Sequence, residues 1–491
     1  MSMLRSQGDP SLRDRAIAGA KWTTASTAAV TAIQFFQLTI VARLLSPADF
    51  GLMAMVMAVL GFAQIFTDMG IGGAIIHRQE NSPNALSSLF WLNVAAGAVV
   101  FLLLVAAAPL VVSLFDEPRL GSLLPTMAVL FLISSYGQLF QLLLQKELQF
   151  AMLARIELFA AAAGAAVAIG CAIEGFGVYS LAFGQLAMAA VTTVCAAAIG
   201  WHDWRPTFHF RTHDIRPYLR FGLFQLGNRG VNFLVSRVDQ VIVGTTLGAS
   251  TLGLYNLAWN LAVMPATKIN PILTRVAFPV FAKVQLENER LKRGYLTLVW
   301  LLATTNGPIL VGGAAVAGTL IPLVFGEQWA AMVPLFQILA FVGLSRSIVN
   351  PVGALVLAKG QPDLEFKLNV WFLILQIPAV YLGVQIGGIA GVAWMVLALQ
   401  LADLTLVYVF LMRPLIGPCL REYIGSVAVP LATSVAMAVV VMLVPWLVHG
   451  SPLLVLTVQI AIGASFYIAT TVALRRVKLI PLLDNLIVTR T

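Results

Sequence analysis

Five basic residues stand inside long apolar stretches of this 491-residue sequence: Arg229, Arg237, Lys268, Arg275 and Arg346. A cation at the centre of a bilayer costs about 2.5–3.5 kcal/mol on insertion scales, so each one calls for a physical reason. A long side chain can reach back to the headgroups while its stem stays in hydrocarbon. Arg275, near the end of its stretch, fits that description. Arg229, Lys268 and Arg346 lie near mid-stretch and read instead as lining a hydrated polar cavity. Intramembrane acids are fewer: Asp68, Asp239 and Asp403. Asp68 and Asp239 are read as ion-coupling or charge-pairing groups. Asp239 stands two residues from Arg237, so the two side chains diverge and are expected to find partners on other helices. The excess of positive charge suits an anion such as a pyrophosphate, because fixed cations replace the hydration that a phosphate loses on leaving water. Bare hydrocarbon would impose a Born cost of order 20 kcal/mol per charge.

The polar residues around these charges share faces. At 100° per residue, Gln225, Asn228, Arg229, Asn232, Ser236, Asp239 and Gln240 fall on one side of a helix over 217–246, with Arg237 just off its edge. Over 252–280, Asn256, Asn260, Thr267, Asn270 and Thr274 form a stripe flanked by Lys268 and Arg275. Pro265 and Pro271 are expected to kink this second helix and free backbone carbonyls. A milder stripe, Thr27, Thr31, Gln34 and Gln37, occupies the first apolar stretch. The candidate substrate-binding set is therefore Arg229, Arg237, Lys268, Arg346, Asn232 and Asn260. No catalytic residue, metal ligand or cofactor is expected.

The elements that must hold these residues are membrane helices. The chain is 59% hydrophobic and only 10% charged, against roughly 25% charged in average soluble domains. Apolar blocks run near 18–44, 51–77, 86–115, 121–144, 152–173, 178–200, 217–246, 252–280, 294–323, 332–358, 366–386, 389–412, 424–448 and 453–474. At 1.5 Å per residue each is long enough for a hydrocarbon core about 30 Å thick. The expected fold is an all-α integral membrane protein of about fourteen transmembrane helices. The first block is too long for the apolar region of a cleaved signal, so it reads as a retained helix. Cys171, Cys195 and Cys419 are scattered and read as packing residues.

Orientation follows from the positive-inside bias. With the N-terminus in the cytoplasm and sides alternating, 23 of the 30 Lys and Arg residues collect on the cytoplasmic side. The opposite side keeps Arg43 and Arg119 beside Asp49, Asp116, Glu117, Glu174 and Glu327. The net charge of +9 is thereby explained by topology, and no nucleic-acid partner is expected.

The sequence also repeats. Residues 40–54 read IVARLLSPADFGLMA and residues 242–256 read IVGTTLGASTLGLYN, an offset of 202. The same offset sets Thr27 against Arg229, Gln34 against Ser236 and Gln37 against Asp239. A weaker match pairs Gly177-Val178 with Gly391-Val392. Six helices are thus duplicated in parallel orientation, giving two bundles across a central cleft. The implied division is a cytoplasmic tail 1–17, a first bundle 18–200, a cytoplasmic linker 201–216, a second bundle 217–412, two extra helices 413–474 and a cytoplasmic tail 475–491.

Residues 41–76, VARLLSPADFGLMAMVMAVLGFAQIFTDMGIGGAII, resemble the start of polysaccharide-transporter flippases of the multidrug/oligosaccharidyl-lipid/polysaccharide (MOP) superfamily. Residues 236–265, SRVDQVIVGTTLGASTLGLYNLAWNLAVMP, are similar to that family's seventh and eighth helices. The resemblance implies a bacterial inner-membrane protein that flips undecaprenyl-pyrophosphate-linked oligosaccharide repeat units by alternating access. It also implies membrane lipids, a polysaccharide polymerase and a chain-length regulator as partners. It fixes no binding residue. Two other readings compete. A multidrug or cation antiporter of the same superfamily would need a net acidic cavity. A membrane glycan enzyme would generally carry a large external loop, whereas the longest hydrophilic loop here is 201–216, on the cytoplasmic side. No phosphate-binding GxxxxGK[ST] loop occurs. His209 and His213 are four apart, but Pro206 and the loop's composition argue against a metal site.

Overall fold

The computed structural model describes residues 12–68, 75 and 82–476. Among them, helices follow one another with short turns: α1 Leu12–Leu44, α2 Pro47–Asp68, α3 Pro83–Phe115, α4 Leu120–Lys146, α5 Phe150–Ile173, α6 Val178–Gly200 and α7 Thr212–Lys268. Then come α8 Asn270–Lys283, α9 Asn288–Phe325, α10 Val333–Val349, α11 Val352–Ala358, α12 Pro362–Val407, α13 Leu420–Leu447 and α14 Pro452–Arg476. A π-turn, Tyr408–Met412, and a short helix, Arg413–Ile416, extend α12. Exposed side chains such as Leu102, Leu110, Phe159, Trp371 and Trp446 cover these helices. Apolar surface on that scale is stable against lipid and not against water.

Twelve helical stretches among the described residues are long and apolar enough to cross a membrane. Two of them, Gly230–Lys283 and Asp363–Ile416, are 54 residues long. A straight helix of that length would span about 80 Å, far more than one crossing of a core about 30 Å thick. Each contains a break where the sequence placed a boundary. In α7 it is Gly248, whose φ of 80° and ψ of 176° exclude a continuous helix and suit only glycine. In α12 it is Gly387–Gly388. The break at Gly248 lies 202 residues beyond Ser46, which separates α1 from α2, so the repeat offset carries one interruption onto the other. Gly177, before α6, has φ 56° and ψ −133°, and Gly388 has φ 55° and ψ −135°. The backbone counterpart of Gly177 is thus Gly388, three residues before the Gly391 of the sequence match.

Two expected helices are interrupted. The stretch read as 332–358 divides at Asn350–Pro351 into α10 and α11. Pro351 has no N–H to bond the carbonyl of Ser347, and its ring crowds that group. The stretch read as 252–280 divides at Ile269, with Pro271 in the first turn of α8. Pro265 stays within helical geometry, so only the second proline makes a break.

The chain divides into two compact units, 1–233 and 234–491. In the first, α5 packs on α1 and α6, and α4 on α3 and α6. The buried face of α5 is almost entirely small: Ala154, Ala160, Ala161, Gly164, Ala165, Ala168 and Ala172, with only Ile156 larger. Hydrocarbon offers no hydrophobic drive for helices to associate, and small residues let backbones approach closely enough for dispersion to do so. The second unit is built around α9, which packs on α10, α13 and α14. Its core joins Tyr295, Val299, Leu302 and Leu310 of α9 to Leu344 and Ile348 of α10 and to Leu411 and Met412.

Candidate functional site

Inside the second unit, most of the intramembrane charges join one network. Arg346 sits in the last turn of α10, next to the Pro351 break, where unpaired helix carbonyls favour a cation. Its guanidinium carbon lies 4.9 Å from the centre of the Trp259 ring, within cation–π range. Its Nε donates to Gln400 Oε1 at 3.2 Å, and Gln400 Nε2 donates to Asp403 Oδ2 at 3.1 Å. The Gln400 amide therefore bridges a cation and an anion of opposite helices. On the other side, Trp259 stacks on Tyr255, with ring centres 6.0 Å apart. The Tyr255 hydroxyl donates to Asp239 Oδ2 at 2.7 Å.

Asp239 is 1% exposed, and its Oδ1 has no hydrogen-bond partner. Arg346 lies within electrostatic range of both Asp239 and Asp403. No ion pair within 4.0 Å joins Arg346 to either acid among the described residues. Arg237, half-buried beside Asp239, donates from its guanidinium to Gln240 Oε1 at 2.7 Å. Arg237 and Asp239 take different hydrogen-bond partners, although each stays within electrostatic range of the other. Asp239 finds its partner across the Gly248 break, whereas Arg237 finds one on its own helix. Two cations and two acids balance within this network.

A second polar node explains how the broken helices are held. The Ser347 carbonyl, left free by Pro351, accepts from Asn270 Nδ2 at 2.9 Å. Asn306 Nδ2 donates to Asn270 Oδ1 at 3.0 Å and also to Ser347 Oγ, and Ser347 Oγ donates to Asn270 Oδ1 at 3.0 Å. Asn270, Asn306 and Ser347 are all fully buried. A freed carbonyl in a membrane protein needs such a donor, so these amides fasten α8, α9 and α10 together.

The expected binding set therefore separates. Arg346 and Arg237 are engaged by protein groups. Lys268, half-buried at the last turn of α7, makes no hydrogen bond or ion pair among the described residues. Asn232 and Asn260 are exposed on α7, and Asn260 Nδ2 donates to Asn256 Oδ1. Thr267 is exposed, but Asn270, which the sequence put on the same stripe, is turned into the core by the break at Ile269. Arg275 is exposed. The side chains of Arg229 and Asp68 lie outside the described residues. Sequence reasoning missed Tyr255, Trp259 and Gln400. Their signals were the four-residue spacing of the two aromatics and the position of Gln400 three residues before Asp403, on the same helical face.

Among the described residues, the chain is thus a set of twelve long apolar helical stretches with glycine breaks and with polar groups inside the second unit. The solved structures agree on the fold. The chain is similar to lipid II flippase MurJ in an inward closed conformation, with a TM-score of 0.74, 12% identity, and coverage of 94% of this chain and 99% of that one. It is also similar to an inward-facing multidrug resistance MATE family transporter of the MOP superfamily, with a TM-score of 0.61, 15% identity, and coverage of 79% and 94%. Residues 40–334 match the family described as "Polysaccharide biosynthesis protein". Lipopolysaccharide biosynthesis protein WzxC of Escherichia coli (strain K12) is 36% identical over 434 residues, 88% of this chain and 87% of WzxC. Teichuronic acid biosynthesis protein TuaB of Bacillus subtilis (strain 168) is 34% identical over 431 residues, 88% of this chain and 89% of TuaB. The chain belongs to this polysaccharide biosynthesis family.

Proposed function

We propose that the chain is a flippase that carries lipid-linked oligosaccharide repeat units across the bacterial inner membrane by alternating access, with an undecaprenyl-pyrophosphate carrier. It is a transporter of polysaccharide biosynthesis rather than an enzyme. The observation that carries the reading is the exposed polar face of the part of α7 that follows the Gly248 break. Asn260 and Thr267 are exposed there on a stretch apolar enough to cross the membrane, and Lys268 stands beside them without a hydrogen bond or ion pair among the described residues. Amides and an ammonium facing hydrocarbon would be costly, so this face suits a hydrated path. Its charge is positive, because Arg237 and Arg346 are already balanced by Asp239 and Asp403. A positive path supports a pyrophosphate-bearing substrate over the drug cations of a MATE-like carrier. The related proteins WzxC, TuaB and succinoglycan biosynthesis transport protein ExoT of Rhizobium meliloti (strain 1021) support a polysaccharide role.

The 54-residue stretches count as two crossings each in this reading, which returns fourteen helices with both termini in the cytoplasm. Transfer runs from the cytoplasmic to the periplasmic leaflet, where a polymerase and a chain-length regulator would take the product. Arg229, Lys268, Asn232 and Asn260 are assigned to substrate, and Asp68 to ion coupling or charge pairing. The test is export. Arg229→Ala and Lys268→Ala should each abolish surface polysaccharide while protein levels hold. Undiminished export from both variants would overturn the assignment.

A further inference from the structure

The segment 201–211, which connects α6 to α7, is tied down on its inner side and open on its outer side. Three residues from the first turns of α3 hold its backbone. Ser87 Oγ accepts from the Thr207 N–H at 3.2 Å, and Trp91 Nε1 donates to the Thr207 carbonyl at 2.9 Å. Ser88 Oγ accepts from the Arg211 N–H at 3.2 Å and donates to the His209 carbonyl at 3.5 Å. Trp204 wedges inward against Phe90 and Phe140, with ring centres 6.1 and 5.8 Å away. A segment without regular hydrogen bonding is thereby fixed as a strap across the ends of α3 and α6.

What the strap presents outward is aromatic and basic. Phe208 is 98% exposed and lies flat on Trp91, with ring centres 5.2 Å apart. Trp201 and Phe210 are about half exposed. Arg205 and Arg211 are exposed beside them, and Asp203 is the one acid of the segment. The Arg205 Nε–H is used on the Trp201 carbonyl at 3.2 Å, and its other guanidinium nitrogens make no hydrogen bond among the described residues. The patch sits where two membrane helices end, and two turns back along α6 Val194 is exposed. Aromatic rings with one apolar face and nearby cations concentrate at the headgroup level of bilayers.

We propose that the 201–211 strap is an interfacial anchor, seating Trp201, Phe208 and Phe210 among the headgroups of an anionic leaflet while Arg205 and Arg211 bind lipid phosphates. The position at the ends of membrane helices, the exposed apolar residue on the adjoining turns of α6 and the sign of the charge favour a lipid surface over a soluble protein. The role is independent of what the protein transports.

The test places an environment-sensitive fluorophore at Phe208→Cys in the full chain, with Cys171→Ala, Cys195→Ala and Cys419→Ala removing the native thiols. The protein is reconstituted in phosphatidylcholine vesicles with or without phosphatidylglycerol. The expected result is blue-shifted emission, quenched by spin labels near the lipid headgroups and shielded from aqueous iodide. Phosphatidylglycerol should strengthen the lipid quenching, and Arg205→Gln with Arg211→Gln should remove that dependence, each arginine contributing roughly fivefold in preference for an anionic surface. A second label at Phe210→Cys gives the same readout without touching the Trp91 stack. Water-like emission and full iodide access at both positions would overturn the anchor, and would instead mark the strap as a surface for a soluble partner. Lipid quenching that ignores phosphatidylglycerol and both arginines would overturn the anionic recognition.

Discussion

The two units hold themselves together differently. The first packs α5 through a face of alanine and glycine. The second encloses Asp239, Arg346, Gln400 and Asp403 in a connected network. The offset of 202 locates the divergence. Where the second unit has Tyr255 and Trp259, the first has Met53 and Met57, and where the second has Asp239, the first has Gln37. Methionine fills space without demanding a partner, so these positions of the first unit need no donor, cation or acid beside them. Once the second unit kept Asp239, it needed a donor for the carboxylate, a nearby cation and a second acid to balance that cation.

The largest effect should come from breaking that set. Arg346→Met removes the cation that Gln400 links to Asp403 and leaves Asp239 with Arg237 alone, which should cost more than the roughly 1–3 kcal/mol of an unsatisfied neutral buried group. Thermal unfolding in detergent, followed by size-exclusion chromatography, should show a marked loss of folded protein. Adding Asp403→Asn should recover part of it; a double variant no better than the single one would sink the coupling. Next comes close packing, where the units can be compared directly. A Cβ on Gly343 would lie 2.0 Å from the Ala262 carbonyl oxygen, while one on Gly164 in the first unit would lie 2.9 Å from the Gly184 oxygen. Gly343→Ala should cost about 3 kcal/mol and more than Gly164→Ala in the same assay. Tyr255→Phe removes the donor to Asp239 and should cost about 1–3 kcal/mol. Met53→Phe, at the corresponding place in the first unit, strands no carboxylate and should cost less.

These differences also show what the sequence could and could not disclose. Helix positions were legible because apolar length and turn residues report them locally, and Gly248 and Gly387–Gly388 broke the chain where the pattern had. The roles of the charges were less legible. Arg229, Lys268 and Arg346 look alike as cations in apolar stretches, yet Arg346 is held by Trp259 and Gln400, residues 87 and 54 positions away. Nothing local distinguishes it from Lys268. Asn270 misled for a related reason. A helical wheel continued through position 269, whereas Pro271 started a new helix there and turned the amide inward to Ser347.

Lys268 is where the comparison between committed and open charge can be sharpened with the smallest change in stability. Its ammonium has no hydrogen bond or ion pair among the described residues, so Lys268→Gln strands no buried partner. The cost should stay within about 0.5 kcal/mol, the range of substitutions outside packed or paired sites. Unfolding of the variant should therefore overlay the parent. Export of surface polysaccharide should fall sharply if the positive charge meets substrate, and Lys268→Arg should retain much of it, because the charge survives even though the geometry differs. Arg346 should behave in the opposite way: Arg346→Lys keeps the charge but loses the planar contact with Trp259 and the Nε bond to Gln400, so stability falls with it. A stable, export-dead Lys268→Gln beside a destabilised Arg346→Lys would separate a cation that serves the cargo from one that serves the fold. If Lys268→Gln lost stability as well, the open cation would have a structural partner, and the two charges would belong to one class.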